Sequence, residues 1–349
     1  MLPGAAPIVA VRGLPSTVHA LLDYERCVAP GVCGNKARKL ASLHLSAGES
    51  VVSHGGGQSN AMLALASLCH AREAQFTYHT RPQPRWLRER PTGNLRRALS
   101  LGMQLSEAKS AAEYEAACAR AAQSTDAGLF VPQGAAWPGA EAGVAGLAHE
   151  IGDWWEREHS ASPPPLSVVV PAGTGTTALF LARHAPSYVR VFAVPCVGGS
   201  EVLTAQMNTL DQASGCVGTL PEVLEPPDAL RTPFAAPSPA VLAAWRDAAR
   251  SHDLLLDLVY GAIAWGTLAE CGFAPSSGRA RGDGSAGSTS DRGGTLYVHC
   301  GGLEGLGTSL RRYARSGLLM AGESAEAALA AAREAAGVES SLASMDTDS

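Results

Sequence analysis

Apolar positions along the chain change period in a recurring order. Val51 and Val52 form a short unbroken apolar pair, and Met62, Leu63, Ala66 and Leu68 then recur at helical spacing across residues 59–71. Between them lies Gly55-Gly56-Gly57. The pattern predicts a buried strand, a glycine turn and a helix. A second strand follows at 75–80, then a loop rich in Pro and Arg to Pro91, helices over 92–101 and 111–122, and a strand at 129–132. Glycines at 134, 139, 143 and 146 mark a bend into a helix that ends near Trp154-Trp155.

The second half repeats the alternation. After a linker at 160–165, residues 166–170 are wholly apolar and predict a strand; Pro171-Ala172-Gly173-Thr174-Gly175-Thr176-Thr177 then leads to a helix from Ala178. Residues 189–194 predict a strand, 201–210 a helix, 254–260 a buried strand, 262–270 a helix and 295–298 a final strand. Upstream, Leu40, Leu43 and Leu45 predict a helix over 36–46, and residues 1–33 read as a lead-in. Residues 217–240 are a Pro-rich connection without evident chemistry. The low-complexity Gly/Ser/Arg/Asp stretch 275–294 reads as a disordered surface insertion, and 322–349 as a peripheral Ala-rich helix with an acidic Ser tail. Strands alternating with helices predict an α/β fold with open, mainly parallel twisted sheets flanked by helices.

Composition narrows the function. A chain of 349 residues has room for two domains. With 46% hydrophobic but only 5% aromatic residues and 38 glycines, it packs through small aliphatic side chains. A net charge of -5 argues against a nucleic-acid partner, and the basic clusters at 81–97 and 311–315 read as solvated faces. The eight cysteines show no CxxC spacing and no His cluster accompanies them, so neither a metal site nor a disulfide framework is expected. Reduced thiols in a cytoplasmic setting fit that pattern. The N-terminus is too Pro-rich for a secretory signal and no apolar run approaches the ~18 residues of a membrane span. An organellar leader stays open, since Arg12 precedes the first acidic residue, Asp23.

Candidate chemistry gathers between Gly34 and Asn60. A lysine that loses its proton through burial or a neighbouring cation forms an imine with an aldehyde at neutral pH. Lys36 sits in Gly34-Asn35-Lys36-Ala37-Arg38-Lys39-Leu40, where Arg38 and Lys39 are candidates for that cation. Ser59 and Asn60 fall at a helix N-terminus, whose free N–H groups suit a carboxylate. The Gly/Thr loop at 173–177 has the strand, loop, helix setting that cradles phosphate. It is neither a Walker loop nor a GxGxxG fingerprint.

The blocks GNKARKL and SHGGGQSN resemble the two signature segments of the pyridoxal-phosphate enzymes grouped as 1-aminocyclopropane-1-carboxylate deaminases and D-cysteine desulfhydrases, within the tryptophan-synthase-β-like fold. The resemblance runs from about Gly34 to Arg315. It implies fold type II, with the cofactor in a cleft between a large domain (1–38 and 150–321) and a small one (39–149). It also implies that Lys36 forms the Schiff base and shuttles the α-proton. Ser59 would meet the substrate carboxylate or handle a proton, Asn60 the ring 3′-oxygen, and Gly173, Thr174, Gly175, Thr176 and Thr177 the 5′-phosphate. Tyr260 would be the general acid/base near Cβ.

The chain departs from the family pattern in two places. Asp23-Tyr24-Glu25-Arg26 stands where the family has an Arg-Asp-Asp-like segment, and Gly261 where it has the Glu or Thr that meets the pyridine nitrogen. Thr308 or Ser309 is the replacement the resemblance suggests. Loss of that acid favours β-elimination from D-cysteine over ring opening of aminocyclopropane carboxylate; a catalytically silent pyridoxal-phosphate binder is the reading from another class. A small amino-acid substrate and a homodimer are expected, with no nucleic acid and no membrane.

Overall fold

The computed structural model describes residues 4–124, 128–159, 162–275 and 293–338. The predicted insertion falls mainly on 276–292 and the acidic tail on 339–349, both outside the described residues.

The chain opens with β1 (Ile8–Ala10), β2 (Val18–Leu21) and the hairpin β3 (Cys27–Ala29) and β4 (Val32–Cys33), then α1 (Gly34–Lys39). There follow β5 (Ser50–Gly55), α2 (Asn60–Ala71), β6 (Gln75–Thr80), α3 (Arg85–Glu89), α4 (Gly93–Ser100), β7 (Gln104–Glu107), α5 (Ala111–Gln123) and β8 (Leu129–Val131). The long helix α6 (Ala140–His159) leads to β9 (Leu166–Ala172), α7 (Thr176–His184), β10 (Val189–Pro195), α8 (Gly199–Ala213), β11 (Glu222–Val223), α9 (Pro239–His252) and α10 (Gly261–Glu270). Last come β12 (Gly294–Val298), α11 (Leu306–Arg315) and α12 (Ala325–Ala335).

Two open sheets result. One has the order β7-β6-β5-β8 and is wholly parallel. The other runs β1-β2-β12-β9-β10-β11 and is parallel except for the β1–β2 edge pair. Helices cover both, as parallel strands require, because their apolar side chains project from both faces. In β9 and β10, Val168, Val169, Val170, Phe192, Ala193 and Val194 are all fully buried. No helix among the described residues is long and apolar enough to cross a membrane.

Four local readings are corrected. Residues 18–21 are no mere lead-in: β2 pairs with β12 inside the larger sheet. The helix foreseen over 36–46 stops at Lys39, and Leu43 reaches the core from the turn beyond it. Residues 254–260 form no strand. Their apolar side chains are buried as expected, but the carbonyl of Leu256 accepts from Trp245 Nε1 at 2.8 Å and that of Leu255 pairs with His299 Nε2 at 2.6 Å. Side chains thus satisfy the backbone groups that a ladder would have used. The helix near the C-terminus is less peripheral than its composition suggests, since Ala325, Ala328, Leu329 and Ala332 pack into the core beside α9 and α11.

The cysteine reading is also corrected. Cys27 and Cys33 face each other across the β3–β4 hairpin and are disulfide-bonded. Their separation of six residues matches no spacing rule, so only the hairpin register reveals the pair.

Candidate active site

A cavity of ≈ 350 Å³ opens among the loops that follow β5, β9 and β12. Ligands of open α/β sheets bind in such crevices at the carboxyl ends of strands. Every residue singled out by motif lies around it: Lys36, Ser59, Asn60, Gly173, Thr174, Gly175, Thr176, Thr177, Tyr260 and Thr308.

Lys36 is delivered by a close backbone approach. Gly34 has φ +59°, and a Cβ there would overlap the carbonyl of Cys300, which accepts the N–H of Asn35 at 3.1 Å. The short helix α1 is thereby pinned to the end of β12. Lys36 Nζ donates to Asn35 Oδ1 at 2.9 Å, and burial holds its pKa below the usual lysine value. Lys39, one turn on, also faces the cavity and donates to the carbonyl of Gly134 at 3.1 Å; burial and the nearby Lys36 lower its pKa further.

Arg38 is not the activating cation. Its guanidinium is fully buried on the opposite face of α1, paired with Asp23 at 2.7 Å and with Glu150 through two bonds of 3.0 and 2.7 Å. This group ties the helix to the lead-in and to α6. A buried ion group of this kind fixes position more than it adds stability. Desolvation is therefore the main reason that Lys36 sheds its proton readily.

The glycine turn after β5 is shaped from beneath. Gly55 has φ +144°, and a Cβ there would meet Tyr78 Oη at 2.6 Å. That buried hydroxyl donates to the carbonyl of Gly56 at 3.2 Å. Ser59 caps α2, its Oγ accepting the N–H of Met62 at 3.3 Å. Asn60 Oδ1 accepts from Asn94 Nδ2 at 2.8 Å, which turns the Asn60 amide nitrogen toward Gly302 at the cavity wall. The Asn94 backbone N–H donates to Gln58 Oε1 at 3.0 Å, so α2 and α4 are stitched together at their N-termini.

The Gly/Thr loop offers donors that the protein leaves unused. Among the described residues, the N–H groups of Gly173, Thr174 and Gly175 find no acceptor, and those of the first turn of α7 have none within the helix. Gly175 has φ +73°, and a Cβ there would overlap Met207. A Cβ on Gly173 would stand 3.1 Å from the Tyr260 ring. Only glycines let this loop lie where it does. Orphaned N–H groups beside a helix N-terminus and a buried lysine suit a phosphate or other anion.

Tyr260 caps α10 and is presented by Asp257, whose carboxylate accepts the N–H groups of Val259, Tyr260 and Gly261 at 2.8, 2.7 and 2.8 Å. Burial raises the phenol pKa, so Tyr260 keeps its proton. Of the two hydroxyls suggested as a ring-nitrogen partner, Ser309 donates to the carbonyl of Gly305 at 3.1 Å, while Thr308 packs against Gly93.

Several cavity residues escaped the motif reading. Asp257 was hidden inside a presumed strand, although an acidic residue just before a helix is a capping signal. Asn94, which holds Asn60 and Gln58 from α4 without itself lining the cavity, carries no signature. Glu304 and Cys300 lie in the final glycine loop and also line the cavity. The Cys300 thiol is buried and its pKa is pushed up to about 12.

No protein-family model and no curated protein sequence matches the chain. Many solved structures resemble it. An aminocyclopropane carboxylate (ACC) deaminase homologue superposes with a TM-score of 0.66 at 18% identity, over 91% of this chain and 95% of the other. Diaminopropionate ammonia lyase from Escherichia coli gives 0.57 at 11% identity, covering 90% and 89%. A hydrogen sulfide-producing enzyme from Fusobacterium nucleatum gives 0.54 at 10%, covering 85% and 94%. At these identities the likeness establishes the fold, which is the two-sheet α/β fold expected from the sequence.

Proposed function

We propose that the cavity binds pyridoxal 5′-phosphate and that the protein is a pyridoxal-phosphate-dependent lyase or deaminase of small amino acids. One observation carries this reading: Lys36, desolvated and hydrogen-bonded through Nζ, shares a cavity with the orphaned N–H groups of the 173–177 loop. An amine able to attack an aldehyde and a cradle for a phosphate are the two requirements of this cofactor.

When bound, pyridoxal phosphate supplies an aldehyde that condenses with amines and a ring that withdraws electrons from a breaking bond at Cα. Lys36 would hold it and, once freed by an incoming amino acid, carry the proton at Cα. The 173–177 loop would hold the phosphate, with the Lys39 amine a further hydrogen-bond donor beside Thr174, since Gly134, its partner, packs against that residue. Asn60 would donate to the ring oxygen through the nitrogen that Asn94 orients. The N-terminus of α2, capped by Ser59, would bind the substrate carboxylate. Tyr260, kept neutral by burial, would give its proton to a group leaving Cβ.

Elimination from D-cysteine is the reaction we favour, with aminocyclopropane carboxylate ring opening second. Gly261 leaves no acid beside Tyr260, which suits loss of a good leaving group better than ring opening. The sulfide-producing structural neighbour supports the same direction. The cofactor assignment is tested by adding pyridoxal phosphate to the purified protein. A visible absorption band should form with wild type and with Lys39→Ala but not with Lys36→Ala; a band unchanged in Lys36→Ala would remove the assignment.

A further inference from the structure

Five charged side chains line the cavity, and four are accounted for. Lys36 bonds Asn35, Lys39 bonds Gly134, Asp257 holds three backbone N–H groups, and Arg312 is exposed at the rim. Glu304 is the fifth. It sits on the single turn Leu303–Gly305 ahead of α11, with Gly302 and Gly305 backing onto Asn60.

No other described residue donates a hydrogen bond to its carboxylate, which accepts from its own backbone N–H alone. Lys36, Arg97 and Asp257 act on it electrostatically, yet no ion pair forms among the described residues. Burial raises its pKa. The side chain is half-buried on the cavity wall, so a ligand entering the cavity meets a carboxylate that no other side chain engages among the described residues.

We propose that Glu304 is a specificity-determining acceptor for a cationic N–H group of the bound ligand. A charge-assisted bond to such a donor satisfies the carboxylate and relieves its desolvation. The same chemistry has two sources: the protonated ring nitrogen of the cofactor, or a second ammonium on a diamino-acid substrate. In either case the site repels side chains that carry a carboxylate. The inference rests on the pyridoxal-phosphate reading and adds to it a residue to which the sequence assigned no role.

The test compares wild type with Glu304→Gln, which keeps size and hydrogen bonding but removes charge. Glu304→Met serves should the amide variant not fold, and circular dichroism checks each. Absorbance titration gives the dissociation constant for pyridoxal phosphate; spectral titration of the holoenzymes gives those for 2,3-diaminopropionate and serine. Loss of about tenfold or more in cofactor affinity, with the ratio of the two amino acids unchanged, identifies the ring nitrogen. A similar loss for diaminopropionate relative to serine identifies the substrate ammonium. Unchanged constants in a folded variant overturn the proposal while leaving the cofactor reading intact. Wild-type protein that binds no pyridoxal phosphate overturns both.

Discussion

The Asp257 carboxylate accepts the backbone N–H of Tyr260 at 2.7 Å, and this bond sets where the phenol stands. With the bonds to Val259 and Gly261 it replaces the strand pairing that residues 254–260 lack. Removing it leaves three backbone donors unpaired, that of Gly261 buried. Asp257→Ala should cost about 3 to 5 kcal/mol in urea unfolding, because charge-assisted bonds and unsatisfied buried groups weigh ~1.5 to 3 kcal/mol each and do not add fully. A loss under about 0.5 kcal/mol would show that the turn holds without the carboxylate.

Gly175 should tolerate no side chain. Its φ of +73° and the overlap of any Cβ with Met207 mean that Gly175→Leu displaces the loop and its N–H groups. The dissociation constant for pyridoxal phosphate should rise about tenfold or more, as several N–H bonds to an anion are disturbed. Wild-type affinity would place the phosphate elsewhere.

Attachment of an aldehyde to Lys36 should depend on pH in a defined direction. The ammonium is unreactive below its pKa and the free amine reacts above it; burial sets that pKa under the usual 10.5. The rate of band formation with pyridoxal phosphate should therefore rise with pH and level off before 10.5. A rate still climbing through that pH would mean that Lys36 is not desolvated.

Much of this architecture was legible in the sequence because period and glycine placement are local. The runs at 51–52, 166–170 and 189–194 became strands, and the turns after β5 and β9 bear the expected loops. What escaped depends on distant partners. Residues 254–260 have the composition of a strand, but no neighbour pairs with them, while Trp245 and His299 take their carbonyls. Arg38 lies two residues from Lys36 yet points to Asp23 and Glu150, because at about 3.6 residues per helical turn positions two apart face roughly opposite ways. Glu304 sits in a loop of no fixed period, where nothing in the sequence singles it out from its neighbours.

The disulfide offers a direct count. Cys27 and Cys33 are bonded and six other cysteines are free. Alkylation of the denatured, unreduced protein should label six thiols, against eight of eight after reduction. Eight without reductant would restore the all-thiol expectation from the sequence.

The choice of reaction turns on what surrounds Tyr260. Its phenol stays protonated through burial, so it is fitted to donate to a departing group and poorly fitted to begin as a base. Gly261 contributes no carboxylate beside it, and the Asp257 carboxylate is already engaged by three backbone N–H groups. Loss of a thiol from Cβ needs a proton on the leaving sulfur and removal of the α-proton, which Tyr260 and Lys36 can supply between them. Ring opening puts a heavier demand on groups at Cβ, where a single phenol is present. One reconstituted preparation should be assayed with D-cysteine, L-cysteine, D-serine and aminocyclopropane carboxylate, scoring ketoacid and sulfide. Sulfide from D-cysteine at the highest kcat/KM is the expected result. A higher kcat/KM for aminocyclopropane carboxylate would reverse the ranking, and bound cofactor without turnover of any of the four would favour a silent binder.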